Sequence, residues 1–329
     1  MAPEQAVRRR IVCAEFGDVE RLTLVEDRVP EPGPGEVLVG VDAAGVGFVD
    51  GLIVQGSYQV RPHLPFTPGF VLAGRVLTTG PGVETPAPGT AVVANVPGMG
   101  SFTSHRVVPA TAVVPIPAGI APATAVTLLQ AYAPVVFALT QRTTVAPGEW
   151  VAVLGASGAI GSAAVDLARS LGARVVAVAS TEEKRAAALS AGAESAVGYD
   201  DLRTDLRRAC DDGVNVVVDP VGGAATEAAL RALKPQGRYC VIGFASGGIP
   251  RIPANLALLS NRTIVGVDWG GWAGADPRGA DAVATDTLRR VAAGELRPQQ
   301  TVVLPLGDAA KALRMALDRT VSGALALAP

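Results

Sequence analysis

The stretch that decides the fold is Val151–Ser180, which reads VAVLGASGAIGSAAVDLARSLGARVVAVAS. It opens on a continuous apolar run, which is typical of a strand buried on both faces of a parallel sheet. A glycine triplet with the spacing G-x-x-G-x-x-G follows, and apolar residues then recur at helical spacing as far as Gly172, where the helix is expected to end. A second apolar run, Val175–Val178, closes the pattern. The stretch predicts a β-strand, an α-helix and a second parallel strand.

The glycine-rich turn of this unit indicates a phosphate-binding site. Residues without side chains let a pyrophosphate come close to the backbone, and the positive end of the following helix faces the anion. An ordinary tight turn is the alternative, but a strand before the glycines and a helix after them favour a dinucleotide site. The residues expected to contact the cofactor here are Gly155, Ser157, Gly158, Ala159, Ile160 and Gly161.

Length and charge restrict the classes of protein and partner. With 329 residues and 49% hydrophobic content, the chain can bury a large core, and its length suggests two domains. A formal net charge of -2 gives no support for nucleic acid or an anionic membrane as a partner. Gly, Pro or a charge interrupts every apolar run before the ~20 residues that a spanning helix needs. We expect a soluble, cytoplasmic protein that acts on a small molecule.

Cysteine and histidine usage argues against a metal site. Cys13, Cys210 and Cys240 are far apart in sequence and form no C-x-x-C pair. His63 and His105 are the only histidines, and neither has the spacing of a metal ligand. The sequence therefore predicts neither a zinc site nor a disulfide framework.

The hydrophobic pattern changes near residue 131. Short runs broken by Gly and Pro up to about residue 118 predict an all-β, barrel-like module. Alternating strands and helices up to Val267 predict a doubly wound parallel sheet, and a Gly- and Trp-rich loop carrying Trp269 and Trp272 is expected after it. The remaining tail is expected to rejoin the first module. We therefore predict an α/β protein with one domain at 1–130 and 269–329 and a nucleotide-binding domain at 131–268.

The residues after the second strand favour NADP over NAD. NAD-specific folds usually carry Asp or Glu at this point, to bind the ribose 2′-hydroxyl. Here Ser180 stands at that point, and Lys184 one helical turn later can supply charge to a 2′-phosphate. A solvated helix lysine is the other interpretation of Lys184.

Several segments give the chain a family resemblance. It resembles the zinc-independent quinone oxidoreductase (zeta-crystallin-like) branch of the medium-chain dehydrogenase/reductase superfamily. The matching segments are Ala43–Asp50 (AAGVGFVD), Pro68–Phe70, Ala73–Gly74, Leu154–Gly161 (LGASGAIG), Ser180–Lys184 (STEEK), Val197–Tyr199, Asp219–Gly223 (DPVGG), Leu233–Arg238, Ile242–Gly247, Val265–Gly270 and Asp318–Thr320.

The resemblance implies an architecture and a cofactor. The expected fold is a GroES-like β-barrel catalytic domain with a Rossmann coenzyme domain, and the expected assembly is a homodimer made by pairing coenzyme-domain sheets. The expected cofactor is NADPH, with its 2′-phosphate held by Lys184, Tyr199 and Arg319. The matching segments also place Val221 and Phe244 among the cofactor-binding residues.

Departures from the family pattern concentrate where the nicotinamide is expected. Gly47 replaces a common Asn, Val71 replaces an acid, and Pro134 replaces a Thr. Tyr58 is kept, whereas a tyrosine often found six residues earlier is Leu52. Polar groups that would face the nicotinamide are therefore missing, so the sequence specifies the cofactor better than the substrate.

Hydride transfer without a metal favours acceptors that are already activated, such as quinones, enones or enoyl thioesters. Tyr58 is the candidate proton donor or substrate-positioning residue, with a buried structural tyrosine as the alternative. The expected pocket walls are Phe48, Tyr132 and Trp269. Three hypotheses follow: an NADPH-dependent quinone reductase, an enoyl or enone reductase of secondary-metabolite or polyketide biosynthesis, and a protein that binds NADPH without turnover.

Overall fold

The computed structural model describes residues 7–329. This part of the chain forms fifteen strands: β1 Val7–Val12, β2 Thr23–Arg28, β3 Glu36–Val46, β4 Val71–Thr79, β5 Ala91–Asn95, β6 His105–Pro109, β7 Val113–Pro115, β8 Trp150–Leu154, β9 Arg174–Val178, β10 Ser195–Val197, β11 Val214–Asp219, β12 Leu233–Val241, β13 Thr263–Gly266, β14 Val302–Pro305 and β15 Leu325–Ala328.

The same residues form eleven α-helices: α1 Phe48–Val54, α2 Pro122–Thr127, α3 Ala133–Phe137, α4 Ala159–Ser170, α5 Glu182–Ser190, α6 Leu202–Ala209, α7 Ala225–Arg231, α8 Ala254–Leu258, α9 Trp269–Ala275, α10 Pro277–Ala292 and α11 Ala309–Asp318. Two π-helical segments, Leu128–Tyr132 and Ala138–Arg142, flank α3.

Internal contacts divide the chain into two compact units. The first comprises the chain up to Gln130 together with 284–292 and 300–329, and the second comprises 131–283 and 293–299. The sequence prediction assigned all of 269–329 to the first domain. The contacts place α9 and the first part of α10 with the second unit instead, because Trp269 and Trp272 pack against Phe137 there.

The second unit is built on a six-stranded sheet with the order β10-β9-β8-β11-β12-β13. All neighbouring strands in it are parallel. The chain starts in the middle at β8, proceeds to one edge and then crosses to the other side, which is the doubly wound arrangement. β8 is buried along its whole length. This confirms the predicted Rossmann-type sheet, and it puts the glycine turn at the carboxyl end of the strand where the winding direction reverses.

The first unit is built on a seven-stranded sheet. The strands follow the order β14-β15-β3-β4-β5-β7, and β6 pairs with the first half of β3, at Glu36–Gly40. β15 runs antiparallel to β3, with Leu325 opposite Val46, so the tail of the sequence completes the sheet of the N-terminal module. The core is mainly aliphatic, with Phe102 fully buried in it. The β module predicted from the punctuated runs is therefore present.

The segment predicted as a Gly- and Trp-rich loop is a helix, α9. Glycines disfavour a helix, but two features compensate for them. The Asp268 side chain accepts a hydrogen bond from Gly271 N and caps the helix. Trp269 and Trp272 lie one turn apart, and the Trp272 ring stacks on Phe137 at a centroid distance of 4.4 Å. Aromatic packing overrides the local propensity here.

One helical stretch in residues 7–329, Pro122–Arg142, is long and apolar enough to cross a membrane. Its most apolar window is 78% buried inside the protein, as in the core helix of a globular domain. Such a helix by itself is weak evidence for membrane insertion.

Candidate dinucleotide and substrate site

In the glycine turn after β8, Gly155 and Gly161 are packed so closely that neither position has room for a side chain. Gly155 has φ = +61°, and a Cβ there would lie 2.8 Å from Val221 Cγ2. A Cβ on Gly161 would lie only 2.1 Å from the Gly155 carbonyl oxygen. Gly158 is the N-cap of α4 and offers no side chain to cap the helix, and Ala159 and Ile160 form the first turn. The N–H groups of that turn are therefore available to an anion.

Tyr199 lies against the glycine turn. Its hydroxyl accepts a hydrogen bond from Gly155 N at 2.9 Å, although the two residues are 44 positions apart. Ser157 in the turn is buried, with 8% of its surface exposed. The structure thus brings Tyr199 and the glycine turn, both predicted from sequence, to one place.

Ser180 and Lys184 lie at the end of β9 and in the first turn of α5. Ser180 is exposed and Lys184 is half-buried. Thr181 caps α5 by accepting a hydrogen bond from the Lys184 backbone N–H. Both predicted residues are therefore in the second unit, on the segment that follows the strand next to β8.

The loop after β11 depends on a buried carboxylate that the sequence analysis did not single out. Asp219 is 1% exposed, and its oxygens accept bonds from Val221 N and Gly222 N, both at 2.8 Å. They also accept bonds from the hydroxyls of Thr226 and Tyr239, the latter at 2.6 Å. Burial and the nearby carboxylate raise the pKa of Tyr239, so its hydroxyl stays a donor. The signal that could have located Asp219 is its position, since it ends a strand that is otherwise apolar except for Asn215.

Asp219 positions two predicted cofactor-binding residues. Val221 packs against Gly155, as the close approach of its Cγ2 shows. Phe244 lies on the loop after β12 and packs against Gly222 of the loop after β11. Gly222 has φ = +67°, and a Cβ on it would lie 2.9 Å from Phe244 Cδ1. Ser246 N donates to Val221 O at 2.9 Å and joins the two loops. Gly155, Val221 and Phe244 therefore form one contiguous surface in the second unit.

In the first unit, α1 and α11 bring Phe48 and Arg319 together. Arg319 ends α11 in a left-handed conformation (φ = +55°), and its guanidinium lies 5.8 Å above the Phe48 ring. This distance fits a cation–π contact. Tyr58 follows α1 and is half-buried. Among the residues expected at the 2′-phosphate, Arg319 thus belongs to the first unit, whereas Lys184 and Tyr199 belong to the second.

A buried carboxyl on α1 is a further candidate that the sequence analysis missed. Asp50 is 1% exposed, and its Oδ2 accepts bonds from Gly47 N at 2.7 Å and Gln130 Nε2 at 3.5 Å. Its Oδ1 is buried without a hydrogen-bond partner. Burial raises the pKa of Asp50 to about 7. A single charged residue in the otherwise apolar Phe48–Val54 helix was the available signal.

Tyr132 and Trp269, both expected as pocket walls, have different surroundings. Tyr132 is 2% exposed, and its hydroxyl donates to Asp166 Oδ2 at 3.0 Å. Arg169 and the backbone N–H of Arg297 bind the same carboxylate. The Tyr132 hydroxyl is therefore used inside the second unit. Trp269 is half-buried and forms an aromatic cluster with Phe137 and Trp272.

Two family models match the chain. The model described as alcohol dehydrogenase GroES-like domain matches residues 33–118, and the model described as zinc-binding dehydrogenase matches residues 159–284. Within residues 7–329, no three His, Cys, Asp or Glu side chains are grouped so that they could hold a metal ion.

Relatives with curated names and solved structures are similar over most of the chain. Quinone oxidoreductase-like protein 2 of Bos taurus is 40% identical over 80% of this chain and 75% of its own length. Phthioceranic/hydroxyphthioceranic acid synthase of Mycobacterium tuberculosis is 30% identical over 99% of this chain, which corresponds to 16% of that protein.

Among solved structures, Escherichia coli quinone oxidoreductase complexed with NADPH superposes with a TM-score of 0.87 at 25% identity, covering 98% of this chain and 100% of that chain. The two matched domains, the parallel sheet with its glycine turn and these similarities agree with one another. The chain belongs to the quinone oxidoreductases of the medium-chain dehydrogenase/reductase superfamily and is an oxidoreductase.

Proposed function

We propose that this protein is an NADPH-dependent, zinc-independent oxidoreductase that transfers hydride to a quinone or another conjugated carbonyl acceptor. The observation that carries the proposal is the turn between β8 and α4. Neither Gly155 nor Gly161 could carry a side chain, because a Cβ would lie 2.8 Å from Val221 Cγ2 at the first and 2.1 Å from the Gly155 carbonyl oxygen at the second. The turn also leads into α4, whose N-terminus has no side-chain cap. Such a turn suits the pyrophosphate of a dinucleotide.

The choice of NADPH over NADH is supported by the residues around this turn. Ser180 stands where an acid would repel a 2′-phosphate, and Lys184 follows on α5. The Tyr199 hydroxyl lies at the turn itself. The similar Escherichia coli quinone oxidoreductase was solved with NADPH, which agrees with this assignment.

NADPH supplies the hydride, and the side chains of the protein have to bind and orient the acceptor in a dry pocket. Because the residues present do not fit a metal that could polarise a simple ketone, a carbonyl already conjugated to a C=C bond is the better acceptor. Tyr58 is the proposed donor of the proton that completes reduction, and Phe48, in the same unit, is proposed to contact the acceptor.

Reduction of an enoyl or enone C=C bond is the alternative. The observation that favours it is the match to the phthioceranic/hydroxyphthioceranic acid synthase, which spans 99% of this chain. The missing polar residue at position 134 also suits an apolar acceptor.

One experiment separates these activities. NADPH oxidation is followed by the loss of the reduced-nicotinamide absorbance, against a quinone panel and a panel of α,β-unsaturated ketones and thioesters. Turnover of quinones supports the first proposal. Turnover of unsaturated carbonyl compounds alone overturns the assignment of a quinone as the acceptor, in favour of C=C reduction. Tight NADPH binding with no active acceptor would contradict both.

The cofactor assignment has its own test. Lys184→Met is expected to weaken NADPH binding by about 10- to 100-fold, because a charge-assisted hydrogen bond to phosphate contributes about 1.5–3 kcal/mol. NADH binding should stay the same. Lys311→Met is the matched control, since Lys311 is an exposed lysine on α11 in the first unit. Equal losses for NADPH and NADH, or no loss, would contradict the phosphate contact.

We further propose that the protein is a cytoplasmic homodimer. β13 is the edge strand of the six-stranded sheet, and apolar side chains are exposed at and near it. Ile264 is 36% exposed, and Leu258 at the end of α8 is 77% exposed. An unpaired apolar edge is a site for strand pairing. Light scattering should give the mass of a dimer for the wild type and of a monomer for Ile264→Arg. A dimer in Ile264→Arg would exclude the β13 edge as the dimer interface.

A further inference from the structure

The Gln130 carboxamide lies across two glycines of the first unit. A Cβ on Gly45 would lie 2.2 Å from its Oε1, and a Cβ on Gly47 would lie 2.5 Å from its Nε2. Both distances are far below any ordinary contact, so a side chain at either position would displace the carboxamide. The absence of side chains at positions 45 and 47 thus makes room for an amide that comes from residue 130.

The hydrogen bonding of this amide is incomplete. Its one bond within residues 7–329 is from Nε2 to Asp50 Oδ2, at a long 3.5 Å. Asp50 itself is fixed by Gly47 N at 2.7 Å, and its Oδ1 is buried without a partner. A carboxamide has two donor hydrogens and an acceptor oxygen. Asp50 therefore holds the nitrogen end of Gln130 and leaves further hydrogen-bonding capacity for a ligand.

The amide lies beside a segment that carries Phe48, one of the residues expected to line the substrate pocket. Gln130 is half-buried. Phe48 is the residue next to Gly47, and its ring lies below Arg319. We propose that the Gln130 carboxamide donates a hydrogen bond to the carbonyl oxygen of the conjugated acceptor, with Asp50 as its positioning residue. This inference rests on the proposed function.

The chemistry explains why a fixed N–H donor is useful at this point. When hydride forms the new C–H bond, the π electron pair of the conjugated system moves onto the carbonyl oxygen, and a proton from Tyr58 or water completes the reduction. NADPH is oxidised to NADP⁺ in the same step. A preorganised donor stabilises the developing negative charge. The amide from residue 130 would supply this donor where Gly47 has no side chain.

The test uses Gln130→Met and Gly47→Ala, alone and combined. Methionine keeps the length and flexibility of glutamine without its donors. Gly47→Ala leaves Gln130 in the chain but pushes its amide away, at a position with φ = -123° that any residue can adopt. Gly307→Ala is the matched control, since a Cβ at Gly307 meets no atom within 4 Å.

Both single variants should lower kcat for the acceptor by about 10- to 100-fold, with NADPH affinity and melting temperature close to those of the wild type. Because both remove the same donor, the double variant should lose no more than Gln130→Met alone. Gly307→Ala should keep wild-type kcat.

An unchanged kcat in Gln130→Met would overturn the inference, and so would fully additive losses in the double variant. A change in acceptor KM alone would also overturn it, because the donor is expected to act on the transition state. A wild-type protein that reduces no acceptor would instead refute the proposed function, together with the inference that rests on it.

Discussion

Two alanine substitutions in the glycine turn separate the demands of folding from those of cofactor binding. At Gly161 the new Cβ would lie 2.1 Å from the Gly155 carbonyl oxygen and 2.7 Å from Ala156 Cα. Both neighbours are backbone atoms, so the start of α4 has to move by about 1 Å to restore ordinary contact. Overpacking of this kind costs about 3 kcal/mol or somewhat more, because no flexible side chain can yield. Gly161→Ala should therefore destabilise the protein strongly.

At Gly158 the same methyl group would have space. The nearest atom is the Gly155 carbonyl oxygen at 3.5 Å, and φ is -76°. The free energy of unfolding of Gly158→Ala should stay within about 1 kcal/mol of the wild type. The methyl group would occupy the face where the pyrophosphate approaches the backbone, so NADPH affinity should fall by about tenfold or more.

Denaturant unfolding and a fluorescence titration with NADPH measure the two effects on the same samples. The expected result is loss of stability in Gly161→Ala and loss of affinity with retained stability in Gly158→Ala. Wild-type NADPH affinity in Gly158→Ala would refute the close approach of the phosphate, and wild-type stability in Gly161→Ala would refute the steric argument.

Three further predictions concern buried polar groups. The raised pKa of Asp50 means that its contribution to stability is full below about pH 4 and is lost as pH rises through about 7. Between pH 5 and pH 8 the free energy of unfolding of Asp50→Asn should therefore rise by up to about 3 kcal/mol relative to that of the wild type, as measured by denaturant unfolding. Free energies of unfolding that change with pH in the same way in both proteins would contradict this. Asp219→Ala should cost about 3–5 kcal/mol, because it leaves the Tyr239 hydroxyl and two backbone N–H groups without an acceptor, and Asp219→Asn should cost less. Tyr132→Phe should cost about 1–2 kcal/mol through the lost bond to Asp166 and leave acceptor kinetics unchanged; a fall in kcat at full stability would show that Tyr132 faces the acceptor.

The nucleotide-binding unit was predictable because its signals are local. β8 and β9 are buried on both faces, so their apolar runs are continuous, and the intervening glycines follow directly in sequence. α9 was mispredicted as a loop because glycine propensity dominates its sequence, whereas the stability of the helix comes from Phe137, more than 130 positions away. Tertiary packing of this kind leaves no periodic signal.

The contact between Asp50 and Gln130 in the first unit was not predictable from the sequence for a related reason. Asp50 and Gln130 are 80 positions apart, and each alone is compatible with a surface position or a helix cap. Only the packing of the two segments shows that Gly45 and Gly47 accommodate the Gln130 amide. Sequence reasoning noted the loss of a side chain at position 47, but it could not show which group fills the space.

The pairing of β15 with β3 has a consequence for how the protein is made on the ribosome. Leu325 lies opposite Val46, so the seven-stranded sheet cannot be completed until residues 302–328 have been synthesised. The six strands of the second unit all lie between residues 150 and 266 and emerge earlier. Because domains generally fold as their chain becomes available, the inserted unit should fold first, while residues Ala44–Val46 of β3 lack their β15 partner and leave that part of the strand edge unpaired. The first unit is thus the later of the two to complete its sheet during translation.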